Sequence, residues 1–273
     1  MTAAFSLGAS LGLAMLAASV ALAAAPAETG FLNRRLPPAK GSSQPGRRYQ
    51  VYVPVDYTPA RTWPIILFLH GSGERGDDGL RQTNGSLGDA IRNHPERFPA
   101  IVVFPQCPER TSWVGETAEA ALRALERSIA EFRGDPDRVY LVGLSRGGRG
   151  AIDLGASHPD RFAAVVAVCG WIVKPKGLDA EDLPDTIESD PYAAKAEQLK
   201  KLPLRLYHGD ADPLVPPQES RLLADALEAR GADVQLTIYP GVGHGAWIPA
   251  FDDENLWRWL FSRKRSRPRA GAR

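Results

Sequence analysis

Short, mostly apolar runs alternate along the chain with segments whose apolar positions recur at helical spacing, and Gly or Pro marks most junctions. The apolar runs are Tyr49–Val53, Ile65–Leu69, Ile101–Phe104, Val139–Val142, Ala163–Val168, Leu204–Tyr207 and Val234–Tyr239. A strand that is apolar at every position is covered on both faces, as in a parallel sheet flanked by crossover helices. Between the runs, Leu122, Leu125, Ile129 and Phe132 recur at spacings of three and four, a one-face stripe that predicts a helix stopping at Gly134. Leu222, Leu223, Ala226 and Leu227 predict a second helix ending before Gly231, and residues 253–261 predict a last one. The alternation as a whole predicts an α/β fold, a mostly parallel, doubly wound sheet with crossover helices.

Both ends and one insertion break this pattern. Residues 2–27 carry no charged side chain, and Phe5–Leu22 form an apolar stretch closing on Ala21-Leu22-Ala23, the pattern of a signal peptide over residues 1–25. The stretch lacks a leading Lys or Arg and is long enough to cross a bilayer, so an uncleaved anchor is the alternative. Cleavage implies a periplasmic or secreted protein with no stable membrane insertion. Residues 26–45 read as a linker, 46–262 as the α/β domain, and 263–273 as a basic, disordered tail holding Arg263, Lys264, Arg265, Arg267, Arg269 and Arg273. Residues 172–201, rich in Lys, Asp, Glu and Pro, are longer than a plain connection needs. They could cap a substrate pocket or run as a solvated excursion ending in a helix at 193–199.

Composition narrows the function classes. Of 273 residues, 33 are Lys or Arg and 32 Asp or Glu, so a net charge of +1 offers no general field for holding a nucleic acid. Two cysteines, Cys107 and Cys169, are too few for a disulfide framework and lack the Cys-x-x-Cys spacing of zinc sites. They follow strands that are not neighbours in the usual strand order, so a bridge between them would need long loops.

The candidate chemistry centres on Gly143-Leu144-Ser145-Arg146-Gly147, placed after the run Val139–Val142 and before a helical segment. In that setting the glycines permit a tight strand-to-helix turn that projects the Ser145 hydroxyl, and the helix N-terminus faces developing negative charge. A plain helix N-cap is the other account of Ser145. A serine hydroxyl needs a base, and the base an orienting acid. His244, in Gly241-Val242-Gly243-His244-Gly245, follows the last strand; Asp212, in His208-Gly209-Asp210-Ala211-Asp212-Pro213, follows the strand before it. The chain order Ser145, Asp212, His244 matches that of serine hydrolases built on such sheets. Asp210 competes with Asp212 for the acid's place and otherwise hydrogen-bonds within the turn.

An oxyanion hole is expected from the backbone N–H of Ser72, within His70-Gly71-Ser72-Gly73-Glu74-Arg75-Gly76, together with that of Arg146. Read as a phosphate cradle, the same loop lacks the Lys-Ser/Thr ending. Trp113, Trp171 and Trp247 are candidate substrate-binding aromatics, with core packing an equal account of Trp113 and Trp171. Arg146 and Arg149, three apart on one helix, either offer a guanidinium to a carboxylate-bearing substrate or pair with local acids. His70 and His208 read as structural, His94 and His158 as surface.

With Pro105-Gln106-Cys107-Pro108 and Trp113 behind it, and Gly243-His244 followed by Trp247, these residues resemble a known group. They look like the exported α/β-hydrolases related to polyhydroxybutyrate depolymerases and feruloyl or acetyl-xylan esterases, which include predicted peptidases and phospholipase/carboxylesterases. The resemblance spans Tyr49–Phe261. It implies an α/β-hydrolase fold and a carboxylic ester hydrolase without metal or cofactor, working through an acyl-enzyme on Ser145. The implied substrate is a small-molecule or oligomeric ester. The chain departs from the group at Arg146, where Met is common, and at Gly245, where Asp is common. A serine peptidase would use the same residues, and a binding protein on a hydrolase scaffold would keep them without turnover.

Overall fold

All seven apolar runs become strands. The structure is a computed structural model that describes residues 28–38, 46–178, 183 and 188–265. Strands β1 (Gly30–Arg35), β2 (Arg48–Val53), β3 (Trp63–Leu69), β4 (Ile101–Pro105), β5 (Gly134–Leu144), β6 (Ala164–Val168), β7 (Leu204–Gly209) and β8 (Val234–Tyr239) form one sheet. Their order is β1-β2-β4-β3-β5-β6-β7-β8. The β1–β2 and β2–β4 pairs are antiparallel and all the others parallel. The helices are α1 (Ser86–Asn93), α2 (Gly115–Glu131), α3 (Arg146–Ser157), α4 (Pro191–Leu199), α5 (Gln218–Glu228), α6 (Trp247–Asp252) and α7 (Glu254–Ser262). This is the α/β-hydrolase fold. No helix among the described residues is long and apolar enough to cross a membrane.

Successive side chains of a strand face opposite ways, and the central strands are apolar on both sides. Ile65, Leu67 and Leu69 join Leu141 and Val165 in a core covered by α2 to α5. Ile66 and Phe68 join Val142 and Val166 in a second core covered by α1, α6 and α7. The predicted helices hold with small shifts. On α2, Ala121, Ala124 and Leu125 are buried, while Leu122 and Ile129 pack at the margin of the core. On α5, Leu223, Ala224 and Leu227 are buried and Leu222 is exposed. Asp253 caps α7, accepting the N–H of Asn255 at 2.9 Å.

Two expectations about the ends need correction. The signal-peptide residues 1–25 lie outside the described residues, but the region read as linker contains β1, paired with β2 in register from Gly30↔Val53 to Arg35↔Arg48. As an edge strand β1 has one partner and only partial burial, so it carries no continuous apolar run for a sequence pattern to register. At the other end, the beginning of the basic tail is docked. Arg263 pairs with Asp233 at 3.3 Å, and Arg265 pairs with Asp137 at 3.2 Å. Arg267, Arg269 and Arg273 lie outside the described residues. In the insertion 172–201, α4 packs against α3 and α5, while Gly177 and Leu178 border the cavity described below.

Because β3 and β5 to β8 are mutually parallel, their C-terminal ends open on one edge of the sheet. The segments that follow them therefore lie side by side, where ligand sites form in such sheets.

The docking of β1 is testable at Phe31, whose ring lies 5.2 Å from that of Tyr52 and 5.9 Å from that of Phe104. Phe31→Ala is expected to lower unfolding free energy by about 2 kcal/mol, below the range of a fully buried Phe because this one is half-buried. A change within about 0.5 kcal/mol in urea denaturation, the range of a surface site, would show that β1 adds nothing to the fold.

Candidate active site

Ser145 follows the end of β5 and stands at the N-cap of α3 with φ 51° and ψ −119°. That left-handed backbone is costly for a residue with a side chain, and its surroundings enforce it. The Ser145 N–H donates to Val168 O at 2.7 Å. A Cβ on Gly143 would collide with the carbonyl of Gly147, and one on Gly147 with the carbonyl of Leu69. Both glycines are thus required by the close approach of backbone to backbone, and the turn lifts the Ser145 side chain over the sheet edge.

Three segments converge there. His244 Nε2 lies 2.9 Å from Ser145 Oγ, and His244 Nδ1 lies 2.7 Å from Asp212 Oδ2. With the Nδ1–H donating to the carboxylate, Nε2 is left to accept the serine proton. The Asp212 side chain is fully buried and that of His244 is 17% exposed. Burial alone would raise the Asp212 pKa, but hydrogen bonds from His208, His244 and the N–H groups of Val215 and Leu214 outweigh it and hold the carboxyl well below its ordinary range. Asp212 Oδ1 accepts from Leu214 N at 2.8 Å and Val215 N at 3.0 Å. Asp210 is exposed and accepts the N–H of Gly241 at 2.6 Å, which settles it in the turn.

The expected oxyanion donors also meet at this edge. Ser72 opens a 3-10 turn over Ser72–Glu74 and Arg146 opens α3. The first N–H groups of such turns point away from their own helical carbonyls. Both residues border, with Ser145 and His244, a cavity of about 410 Å³. Burial pushes the Glu74 carboxyl up, and it accepts from its own N–H and from that of Gly71. The Arg146 side chain is 2% exposed, with Nε donating to Ser72 Oγ at 2.9 Å and Nη1 to Ser112 Oγ at 2.5 Å. Arg149 does pair locally, with Asp153 Oδ2 at 2.5 Å and the carbonyl of Ile172 at 2.5 Å.

Of the three tryptophans, only Trp247 borders the cavity, its ring 5.5 Å from that of His244. The expectation of a substrate contact is corrected for the other two. Trp113 is 2% exposed and donates its indole N–H to the carbonyl of His70 at 3.0 Å; Trp171 is 0% exposed and packs with Leu183 and Val215. Each follows a strand end, but the chain turns the ring inward, under the loops that shape the site. Leu178, Leu214 and Ser112 were not singled out from the sequence. Each lies in a loop without any local pattern, and only the packing of separate loops brings them to the site.

The remaining candidates have structural roles. His208 Nδ1 pairs with Ser220 Oγ at 2.7 Å, and its Nε2 lies 3.0 Å from the carbonyl of Val215 and 3.3 Å from Asp212 Oδ2. His70 donates from Nδ1 to the carbonyl of Gly71 at 2.7 Å and accepts the Cys107 N–H at Nε2 at 3.0 Å. Cys107 and Cys169 are buried and unbridged, consistent with strands three places apart in the sheet, with β3 and β5 between them. Among the described residues, Cys169, Asp212 and His244 form the one group of three metal-ligand types with donor atoms within 4.8 Å of one another. Asp212 and His244 are already bonded to each other, and burial pushes the Cys169 thiol up to about 12. A cation would have to displace protons from both the thiol and His244 Nδ1.

Comparison with known proteins places the chain among hydrolases. Residues 110–260 match the model of the prolyl oligopeptidase family. Acyl-protein thioesterase 1 of Gibberella zeae is 28% identical over 119 residues, 44% of this chain and 46% of that protein. The putative esterase NocK of Nocardia uniformis subsp. tsuyamanensis is 27% identical over 158 residues, 56% of this chain and 41% of its own. The chain thus spans less than half the length of either relative. A thermostable esterase of known structure superposes with a TM-score of 0.71 at 28% identity, covering 86% of this chain and 63% of that one.

His70 supplies a pH prediction. Burial lowers its pKa from the ordinary 6.5 to about 4, so the folded protein keeps it neutral where the unfolded chain takes up a proton. Stability is then complete above about pH 6.5 and falls as the pH drops toward 4, by roughly 3 kcal/mol for the full shift. His70→Gln, which keeps a donor and an acceptor without titrating, is expected to flatten this interval in urea denaturation at a series of pH values. An unchanged slope would mean that His70 does not set it.

Proposed function

The chain belongs to the prolyl oligopeptidase family, and on that premise we propose that it is a serine hydrolase of the carboxylesterase type. The observation that carries this reading is the unbroken relay from Ser145 Oγ through His244 to Asp212, with steps of 2.9 and 2.7 Å. In the proposed reaction Ser145 Oγ attacks the carbonyl carbon of a carboxylic ester as its proton passes to His244 Nε2. Asp212 holds the imidazole in its Nδ1–H tautomer and balances the charge of the imidazolium. The N–H groups of Ser72 and Arg146 receive the oxyanion, the group that gains charge in the transition state. Collapse expels the alcohol, which takes the proton from His244 and leaves an acyl group on Ser145. Water then attacks the acyl carbonyl as His244 accepts its proton, and the second collapse releases the acid and returns the proton to Ser145.

The esterase and thioesterase names of the relatives support an ester substrate, and the family's own description keeps a serine peptidase as the second reading. The cavity beside Ser145, bounded by Leu178, Leu214 and Trp247, suits a small acyl group at about 410 Å³.

A fluorophosphonate probe is expected to label Ser145, and labelling is expected to vanish in Ser145→Ala. No labelling of the intact protein, together with no hydrolysis of p-nitrophenyl esters, would leave a binding protein on this scaffold. Asp212→Asn is expected to reduce kcat by about 10⁴-fold, the loss that follows when the histidine tautomer is no longer held, with Asp210→Asn close to the parent. The reverse ranking would reassign the acid. Comparing kcat/KM on matched p-nitrophenyl ester and p-nitroanilide substrates separates the two readings, and a faster anilide would overturn the ester assignment.

A further inference from the structure

The two oxyanion donors proposed above come from different parts of the chain; β3 and β5 pair as far as Leu69↔Gly143, but Ser72 lies three residues beyond that register, in a loop. Arg146 supplies one through its backbone at the start of α3, while Ser72 supplies the other from the loop after β3. The Arg146 side chain doubles back across that gap. Its Nε donates to Ser72 Oγ at 2.9 Å, and its Nη1 donates to Ser112 Oγ, in the loop after β4, at 2.5 Å. The guanidinium is planar and rigid, so two hydroxyls held by one fork are also held relative to each other. Both acceptors sit in segments otherwise braced from behind. The indole of Trp113, next to Ser112, donates to the carbonyl of His70 at 3.0 Å, and His70 accepts the N–H of Cys107 at 3.0 Å. On the Ser72 side, Arg75 Nε donates to the Ser72 carbonyl at 3.2 Å within the same turn, and the Arg146 fork joins that turn to α3 and to the Ser112 loop.

We infer that the Arg146 side chain is a positioning residue that sets the Ser72 N–H against the Arg146 N–H, so that one residue provides half of the oxyanion hole and holds the other half in place. This rests on the reading of Ser145 as nucleophile. A methionine at position 146 would fill similar space but would leave Ser72 and Ser112 without their common donor. Loosening of one donor acts on the charge that develops in the transition state and not on the neutral carbonyl of the bound ester. The loss therefore falls on kcat and spares KM.

The test uses Arg146→Met and Ser72→Ala, each of which keeps its backbone N–H, and the double variant. Neutral p-nitrophenyl esters and a carboxylate-bearing p-nitrophenyl ester serve as substrates, and an alkyl trifluoromethyl ketone, which forms a hemiketal oxyanion on Ser145, serves as the transition-state probe. Each single variant is expected to lower kcat about tenfold, less than the roughly hundredfold that a 1 Å misplacement can bring, with KM nearly unchanged. Affinity for the ketone is expected to fall by the same factor. The double variant is expected to match the weaker single one, because both break a single tether. Unchanged kcat in Arg146→Met, a loss confined to KM, or a loss confined to the carboxylate-bearing ester would overturn the proposal, as would losses that multiply in the double variant. Should Arg146→Met not fold, Ser72→Ala decides alone, since it removes only a hydroxyl, and a parent-like kcat there is equally fatal. An intact protein that neither hydrolyses the esters nor reacts with a fluorophosphonate would instead sink the hydrolase reading. An active protein with indifferent variants sinks only the tether.

Discussion

The whole site depends on the turn at Ser145. The left-handed backbone at this residue is held by an N–H bond to Val168 and by two glycines with no room for a Cβ. The helix that starts there has its N–H groups facing the space above the sheet edge, and the serine side chain stands in that same space. Strain of this kind persists only where the surroundings over-determine it. Here β3, β6 and α3 close around the turn, through the carbonyls of Leu69, Val168 and Gly147. Relaxing the turn would withdraw the hydroxyl from His244 and tilt the start of α3 together.

Electrostatics around the turn are graded from dry to wet. Asp212 is buried yet ionised, which a low-dielectric setting tolerates only when the lone pairs of the carboxylate are satisfied. Two backbone N–H groups and two imidazoles meet that need. The two histidines then differ by what faces their far sides. His208 is closed off by Ser220 and Val215, whereas His244 keeps Nε2 turned to Ser145. His70, buried 37 residues before Cys107, shows the third fate of the same side chain, neutral and fixed between two backbone groups. One residue type therefore serves as a neighbour of the buried carboxylate, as the link between Asp212 and Ser145, and as a loop brace, according to burial and partner.

The aromatic residues divide in a similar way. Trp247 stands against the cavity beside His244, while Trp113 and Trp171 lie beneath the loops and shape the site from behind. Rigid rings under a loop limit its movement through packing, and an indole N–H that finds a carbonyl, as that of Trp113 does, adds direction to that packing. The insertion is likewise split: Gly177 and Leu178 reach the cavity, but α4 lies back on α3 and α5.

The sequence by itself determined seven of the eight strands, β2 to β8, the doubly wound architecture, and the placement of Ser145, Asp212 and His244 after the ends of three of those strands. Each of these follows from short-range physics. A strand covered on both faces must be apolar at every position, a sharp turn into a helix must have glycines, and parallel strands must end on the same edge. Only the tertiary structure decided that β1 joins the sheet, that Arg263 and Arg265 dock, that Trp113 and Trp171 point inward, and that Arg146 ties Ser72 to Ser112. An edge strand, a docked charge and a buried guanidinium all take their energy from partners distant along the chain, so the residues beside them in sequence carry no trace of the contact.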